Sequence, residues 1–198
     1  MGSWGSRRYI NYIFSGSQES LIRDIFEKKK SPFYHFGLVM PLTKIPEKEF
    51  TEYLNQGFKS VSRDYAKIAG EILAVTHCHP HFTQQLAYIA WERSKKGEPG
   101  ESVVEDSVTE LIHSHELDYE RIWARFNNMD KKMLIALAQT FGAVLSEEYL
   151  RKNELGASST AYSSIKRLSG SGNVNKDKNQ YTLDDPFFRL WIRRKRED

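Results

Sequence analysis

The sequence predicts a mainly α-helical protein with a short mixed α/β segment at its start. Three observations carry that reading. Apolar residues recur at helical spacing from Ile45 to Phe126. A single β-branched and aromatic run, Tyr9 to Phe14, stops at Ser15-Gly16-Ser17 and reads as a buried strand followed by a turn. From Met129 onward three short helical patterns are followed by a glycine-rich turn and an alternating stretch, Val174 to Leu183. Three domains are expected: residues 1–44, 45–128 and 129–198.

Each element has a local cause. Ser17 is placed to cap a helix whose apolar face is Leu21, Ile22, Ile25 and Phe26, closed by Lys28-Lys29-Lys30 at its negative end. Ser31 to Gly37 reads as a loop and Leu38 to Leu42 as a second extended piece. Pro46 opens a helix carrying Phe50, Tyr53 and Leu54, with Gly57 as its stop. Phe58, Val61, Tyr65, Ile68 and Ile72 continue to Val75 with a break near Ser62. Thr76-His77-Cys78-His79-Pro80 then turns the chain into another helix, because Pro80 suits the first helical position, where an N–H has no intrahelical partner. Phe82, Leu86 and Ile89 form its expected apolar stripe. Ser94 to Glu101 reads as a hinge loop. Val104, Val108, Leu111 and Ile112 mark one helix, and Tyr119, Ile122, Trp123 and Phe126 another that ends at Asn127-Asn128.

The last third reads as helix (Met133, Leu134, Leu137), Ser146-capped helix (Tyr149, Leu150), Ser159-capped helix (Tyr162, Ile165, Leu168), then a hairpin turning through Lys176 to Asn179. That order is the order of a winged helix-turn-helix. Pro186 begins a final helix with Phe187, Phe188, Leu190, Trp191 and Ile192, and the chain closes in a basic run.

Composition narrows the function classes. In 198 residues, 39% hydrophobic and 13% aromatic content supports a packed core. A net charge of +3 is too mild to argue nucleic-acid binding by itself. A single cysteine, Cys78, excludes an intrachain disulfide and suggests a reducing compartment. With no bilayer-length apolar run and no leader pattern before Arg7, a soluble, cytoplasmic protein without membrane contact is expected.

No complete catalytic constellation stands in the sequence: GxxxxGK(S/T), GxSxG, HExxH and CxxC are all absent. His77, Cys78, His79 and His81, with His113 and His115, invite a zinc reading, but Pro80 spreads them through a turn, so ordinary turn and surface histidines are favoured. Ser15-Gly16-Ser17 could meet a phosphate at the start of the following helix, against the commoner plain cap and turn. The third helix of the winged-helix pattern could meet DNA through Lys166 and Arg167, with Lys176 and Lys178 in the wing. Its Ser, Ala, Thr and Tyr content is poor for reading bases, so packing against another domain is weighed beside DNA contact. Arg193-Arg194-Lys195-Arg196 reads as a solvated end, with an electrostatic contact to nucleic acid as the second possibility.

The ordered set Tyr12-Ile13-Phe14-Ser15-Gly16-Ser17, Ser31-Pro32-Phe33-Tyr34, Pro41-Leu42, Thr76-His77-Cys78-His79-Pro80 and Tyr181-Thr182-Leu183-Asp184-Asp185-Pro186-Phe187-Phe188-Arg189-Leu190-Trp191 resembles the C-terminal part of archaeal-type P-loop ATPases. These are AAA+-like relatives in the STAND group, with similar members in Bacteroides-like bacteria. The resemblance covers about residues 8–194. It implies that the opening strand is the sensor-1 strand, with Ser15 or Ser17 facing the γ-phosphate beside Gly16. It implies that the helices from Pro46 to about Trp91 are the lid, and that His79 and Pro80 lie on the adenine side. Cys78 stands where the family has Gly, and His35-Phe36 where many members have an arginine finger.

The cofactor implied is Mg-ATP in the whole ATPase, weak or absent for this chain alone. The partner implied is an N-terminal P-loop core, since the phosphate loop and acidic strand that lie upstream in the family are not in this sequence. A truncated gene, a fragment or an excised domain is therefore expected, without hydrolysis of its own. The exposed edge of the opening strand predicts a poorly ordered or self-associating N-terminus. A winged-helix DNA-binding regulator is the alternative. A protein-interaction adaptor, forming oligomers through the aromatic surface of the lid, is a third.

Overall fold

The computed structural model describes residues 12–16, 19–40, 45–100, 102–140, 143–177 and 180–196. The chain divides into two compact units, Met1–Thr43 and Lys44–Asp198.

Among its described residues the first unit holds one helix, α1 (Glu19–Phe26), followed by a run of turns. His35, in the left-handed region at φ 56°, donates its backbone N–H to the Phe26 carbonyl at 3.0 Å and folds that run back on the helix. Phe14, Phe26, Phe33 and Phe36 form a chain of ring contacts at 5.5–6.5 Å. The described part of the expected opening strand, Tyr12 to Phe14, is not a strand, and Ile13 is 93% exposed. Tyr9 to Asn11 and the Ser17 cap lie outside the described residues. Leu38 to Met40 is likewise irregular and mostly exposed. The reason is pairing: an extended segment without a neighbour leaves its ladder groups unsatisfied, and the described residues of this unit contain no strand.

The second unit is α2 (Glu47–Phe58), α3 (Tyr65–Thr76), α4 (Pro80–Lys95), α5 (Val103–Ser114), α6 (Glu116–Ala124), α7 (Asn128–Gln139), α8 (Glu147–Lys152), α9 (Ser158–Gly170), β1 (Val174–Asp177), β2 (Gln180–Leu183) and α10 (Pro186–Lys195). Helices α2 to α5 pack in succession. The expected stop at Gly57 is overruled, because α2 runs one residue further to set Phe58 into the core at 2% exposure. The break near Ser62 holds, with the Ser62 hydroxyl accepting from Asp64 N at 3.1 Å.

Between α3 and α4, His77 and Cys78 sit at φ 50° and 58°, and Pro80 takes the first helical position as expected. Two successive left-handed residues stop α3 and swing the chain back within one turn. Thr76 and Thr83 staple the two helices through a buried hydroxyl pair at 2.7 Å. The Thr76 proton goes to the Ile72 carbonyl at 2.9 Å, which leaves Thr83 as the donor within the pair. The buried face of α4 is Thr83, Leu86, Ala90 and Ser94 rather than Phe82, Leu86 and Ile89, with Phe82 and Ile89 half-buried at its flanks. Small side chains at Ala90 and Ser94, with buried Ser107 on α5, let α4 and α5 approach closely, and the larger residues fill the edges. The loop after α4 is tied down: Arg93 reaches Glu98 at 2.7 Å and Glu110 of α5 at 2.8 Å, and the two carboxylates raise its pKa.

The core is continuous from α2 to α10. The last helix packs against α5, α6 and α7, and α7 packs against α9 and β2. Trp191, fully buried, lies 5.9 Å from Tyr119, 6.0 Å from Trp123 and 5.6 Å from Phe188, ring centre to ring centre. Phe187 meets Phe82 of α4 edge-on at 5.8 Å. Among the described residues no helix is long and apolar enough to cross a membrane.

Candidate functional site

Asn127 does not end a helix. It caps the next one: its Oδ1 accepts from Asp130 N at 2.9 Å and its Nδ2 donates back to Asp130 Oδ2 at 2.9 Å. The first bond satisfies one of the N–H donors that a helix start leaves open, and the second, between side chains, holds the pair in register. Ser146 caps α8 as expected, accepting from Tyr149 N at 3.3 Å. Between α8 and α9 the chain passes through Glu154 (φ 53°) and Gly156 (φ 67°), with Leu155 fully buried between them. Helix α9 therefore begins early, at Ser158 after Ala157, and Ser159 is not the cap. Instead its carbonyl accepts from the Ser163 hydroxyl at 2.9 Å.

Within α9, Ala161, Ser164, Ile165 and Leu168 face the core, while Ser159, Tyr162, Ser163 and Lys166 are exposed. The helix packs against β1. The hairpin pairs Val174 with Leu183 and Asp177 with Gln180, close to the expected span. Asn175 Nδ2 donates to Asp184 Oδ1, and Lys176 lies over the Tyr181 ring at 5.5 Å with its side chain exposed.

The basic candidates separate sharply. Lys166 is exposed and makes no ion pair among the described residues. Arg167 is held by Asp130, Nη2 to Oδ1 at 2.7 Å and Nε to Oδ2 at 3.3 Å, and this partner raises the guanidinium pKa. Asp130 is itself buried and also accepts from the buried Ser164 hydroxyl at 2.5 Å. One carboxylate thus joins the start of α7 to the middle of α9. The sequence reading missed it, although Asn127-x-x-Asp130 ahead of an apolar run was the available signal. Lys178 lies outside the described residues.

The basic end is not a free solvated run. Arg194 donates to Thr109 Oγ1 at 3.3 Å, Lys195 pairs with Glu116 at 2.8 Å, and Arg196 grips Glu120 at 2.7 and 2.9 Å. Arg196 also stands over the rings of Trp123 and Trp191 at 5.6 and 5.1 Å. These contacts seat α10 on α5 and α6. At the opposite end of α10, Asp185 accepts from Phe187 N at 2.7 Å, Phe188 N at 3.0 Å and Tyr119 OH at 3.1 Å. Burial outweighs these bonds and raises the Asp185 pKa; burial, with Asp185 as neighbour, raises that of Tyr119 as well.

The candidate nucleotide residues fall in different units. Ser15 and Gly16 are exposed in the first, and a Cβ on Gly16 would meet Ile22 Cδ1 at 3.0 Å. Ser17 is outside the described residues. In the second unit Pro80 is exposed, and the half-buried His79 ring lies 4.6 Å from Phe82, with Nδ1 buried and without a hydrogen-bond partner. Among the described residues no three His, Cys, Asp or Glu side chains converge as metal ligands.

No curated protein and no solved structure matches the chain. Residues 117–194 match a family model described as a probable winged helix domain. With α7, α8, α9, the β1–β2 hairpin and α10 in that span, the C-terminal part of the chain is a winged helix domain.

Proposed function

We propose that this chain is the lid and winged-helix part of an ATP-binding AAA+/STAND-type ATPase, not hydrolysing ATP by itself. The observation that carries the reading is the His77–Pro80 turn. Cys78 stands where the resembling family has Gly, and its φ of 58° lies in the left-handed region that glycine favours. At the same turn the buried, unpartnered His79 Nδ1 is the kind of polar atom an adenine edge would satisfy. ATP would be held here on its adenine side by His79 and Pro80, and its phosphates by a P-loop that this sequence does not contain. The continuous core supports a matching mechanism: a shift of α4 would be passed through Phe82 and Phe187 to α10 and carry the winged helix with the lid.

Reading the coding DNA upstream of the Met1 codon tests this. An in-frame GxxxxGK(S/T) followed by an acidic strand is expected, and the extended protein should turn over Mg-ATP while this chain alone does not. A stop codon directly upstream, or turnover by this chain alone, overturns the reading.

A second reading is a winged-helix DNA-binding regulator. It is favoured by the two exposed lysines, Lys166 on α9 and Lys176 on β1, on adjoining elements and without ion pairs among the described residues. Residues 129–198 also carry thirteen Lys and Arg against nine Asp and Glu, whereas residues 44–128 carry ten against fourteen. Duplex affinity that falls with salt and weakens on Lys166→Ala is expected. Absence of duplex binding at low salt removes this reading.

A further inference from the structure

We infer that Asp130 sets how the winged helix meets a duplex: it withholds Arg167, the one arginine of α9, so that contact is made to the phosphate backbone without reading base sequence. The inference rests on the DNA-binding reading and specifies its mode. Bidentate recognition of guanine needs a free guanidinium. Here both Nη2 and Nε of Arg167 are directed to the Asp130 carboxylate. Asp130 is anchored on the other side by Asn127 and Ser164, so it has no freedom to follow the arginine outward. Arg167 is exposed yet held in the Asp130 pair, and the side chains that α9 otherwise exposes along its length are Ser158, Ser159, Thr160, Tyr162, Ser163 and Lys166. Hydroxyls and a flexible ammonium suit phosphate oxygens and distinguish base pairs poorly. Lys176 on the adjoining strand supplies a second cation of the same kind. The carboxylate thus acts as an internal stand-in for a phosphate.

The experiment is fluorescence anisotropy with two duplexes of unrelated sequence, from low to moderate salt, on the full chain. Wild type should bind both duplexes within about two-fold, with a log–log salt slope of about −2 for two phosphate contacts. Arg167→Met should leave duplex affinity within two-fold, whereas Lys166→Ala should lower it several-fold and flatten the slope by about one. Asp130→Asn, which keeps the side-chain shape but removes the charge, should bind more tightly with a slope steeper by about one. That gain is a readout that a merely structural role for Asp130 would not give.

If Arg167→Met weakens binding as much as Lys166→Ala, Arg167 already touches the duplex, and the inference fails while the DNA reading stands. A folded Asp130→Asn that binds no tighter also overturns it. If thermal melts show Asp130→Asn to be unfolded, Arg167→Met alone decides. Should neither wild type nor Asp130→Asn bind either duplex at low salt, the DNA reading falls and the inference with it. The upstream-sequence test of the ATPase reading is unaffected by any of these results.

Discussion

Two aromatic clusters of similar size meet opposite fates in this chain. In the first unit, Phe14, Phe33 and Phe36 touch one another in a row yet stay 44–54% exposed, with only Phe26 buried. In the second, Tyr119, Trp123, Phe187, Phe188 and Trp191 are all at or below 8% exposure. The difference lies in what holds the rings. The first set is strung along turns around one eight-residue helix, the one helix or strand among the described residues of its unit. The second is projected from α6 and α10, whose ends are fastened by Asp185 at one side and by Lys195 and Arg196 at the other. Ring contacts add little unless the backbone beneath them is already positioned.

Substitutions graded by size can break or sharpen that contrast. The largest effect is expected at Trp191, where Trp191→Ala should cost about 3–5 kcal/mol by opening a cavity between α6 and α10. Urea unfolding followed by circular dichroism measures it, and a loss below about 1 kcal/mol would put the centre of the core elsewhere. Asp130→Ala comes next, at about 2–4 kcal/mol, because Ser164, Arg167 and the start of α7 all lose one acceptor.

Asp185→Ala should cost about 1–2 kcal/mol for the lost cap and the stranded Tyr119 hydroxyl, and Asp185→Asn clearly less. The pH dependence has a definite sign. Burial holds the Asp185 pKa above its ordinary 3.8, so protonation favours the folded state. Its contribution is fully present below the ordinary value and is lost as pH rises through the folded one. Wild type should therefore gain on Asp185→Asn as pH falls through that window, read as the difference in urea midpoint between the two proteins. An unchanging difference would contradict the burial argument.

Arg196→Ala is expected to cost about 1 kcal/mol, from the two ring contacts and the Glu120 pair at a partly exposed site. Smallest of all, Phe33→Ala should change the main unfolding transition by less than about 0.5 kcal/mol. A larger change would show that the first cluster is covered by something the second unit's unfolding also releases.

Local signals were legible wherever one short stretch carried its own cause. Pro80 and Pro186 start helices, Ser146 caps one, and the alternation from Val174 to Leu183 makes the hairpin. The order of helices and hairpin along the chain is by itself that of a winged helix domain, and residues 117–194 match that family model. What the tertiary structure decided was which of several equivalent-looking residues is used. The α4 stripe rotated toward Thr83, Ala90 and Ser94 because neighbouring helices reward close approach rather than hydrophobicity. Adjacent Lys166 and Arg167 look alike in sequence and both are exposed, yet a helix turns about 100° per residue, so only Arg167 is aimed at Asp130, thirty-seven positions earlier in the chain. The basic end reads as solvated until Glu116, Glu120 and two tryptophans are brought beside it. Sequence determined the helix starts at Pro80, Ser146 and Pro186 and the type of the hairpin, since those depend on bonds within a few residues. It did not determine the start of α7 or α9 or the state of Tyr12 to Phe14. Only the fold decided which charges are spent and which remain free, since that depends on partners far away along the chain.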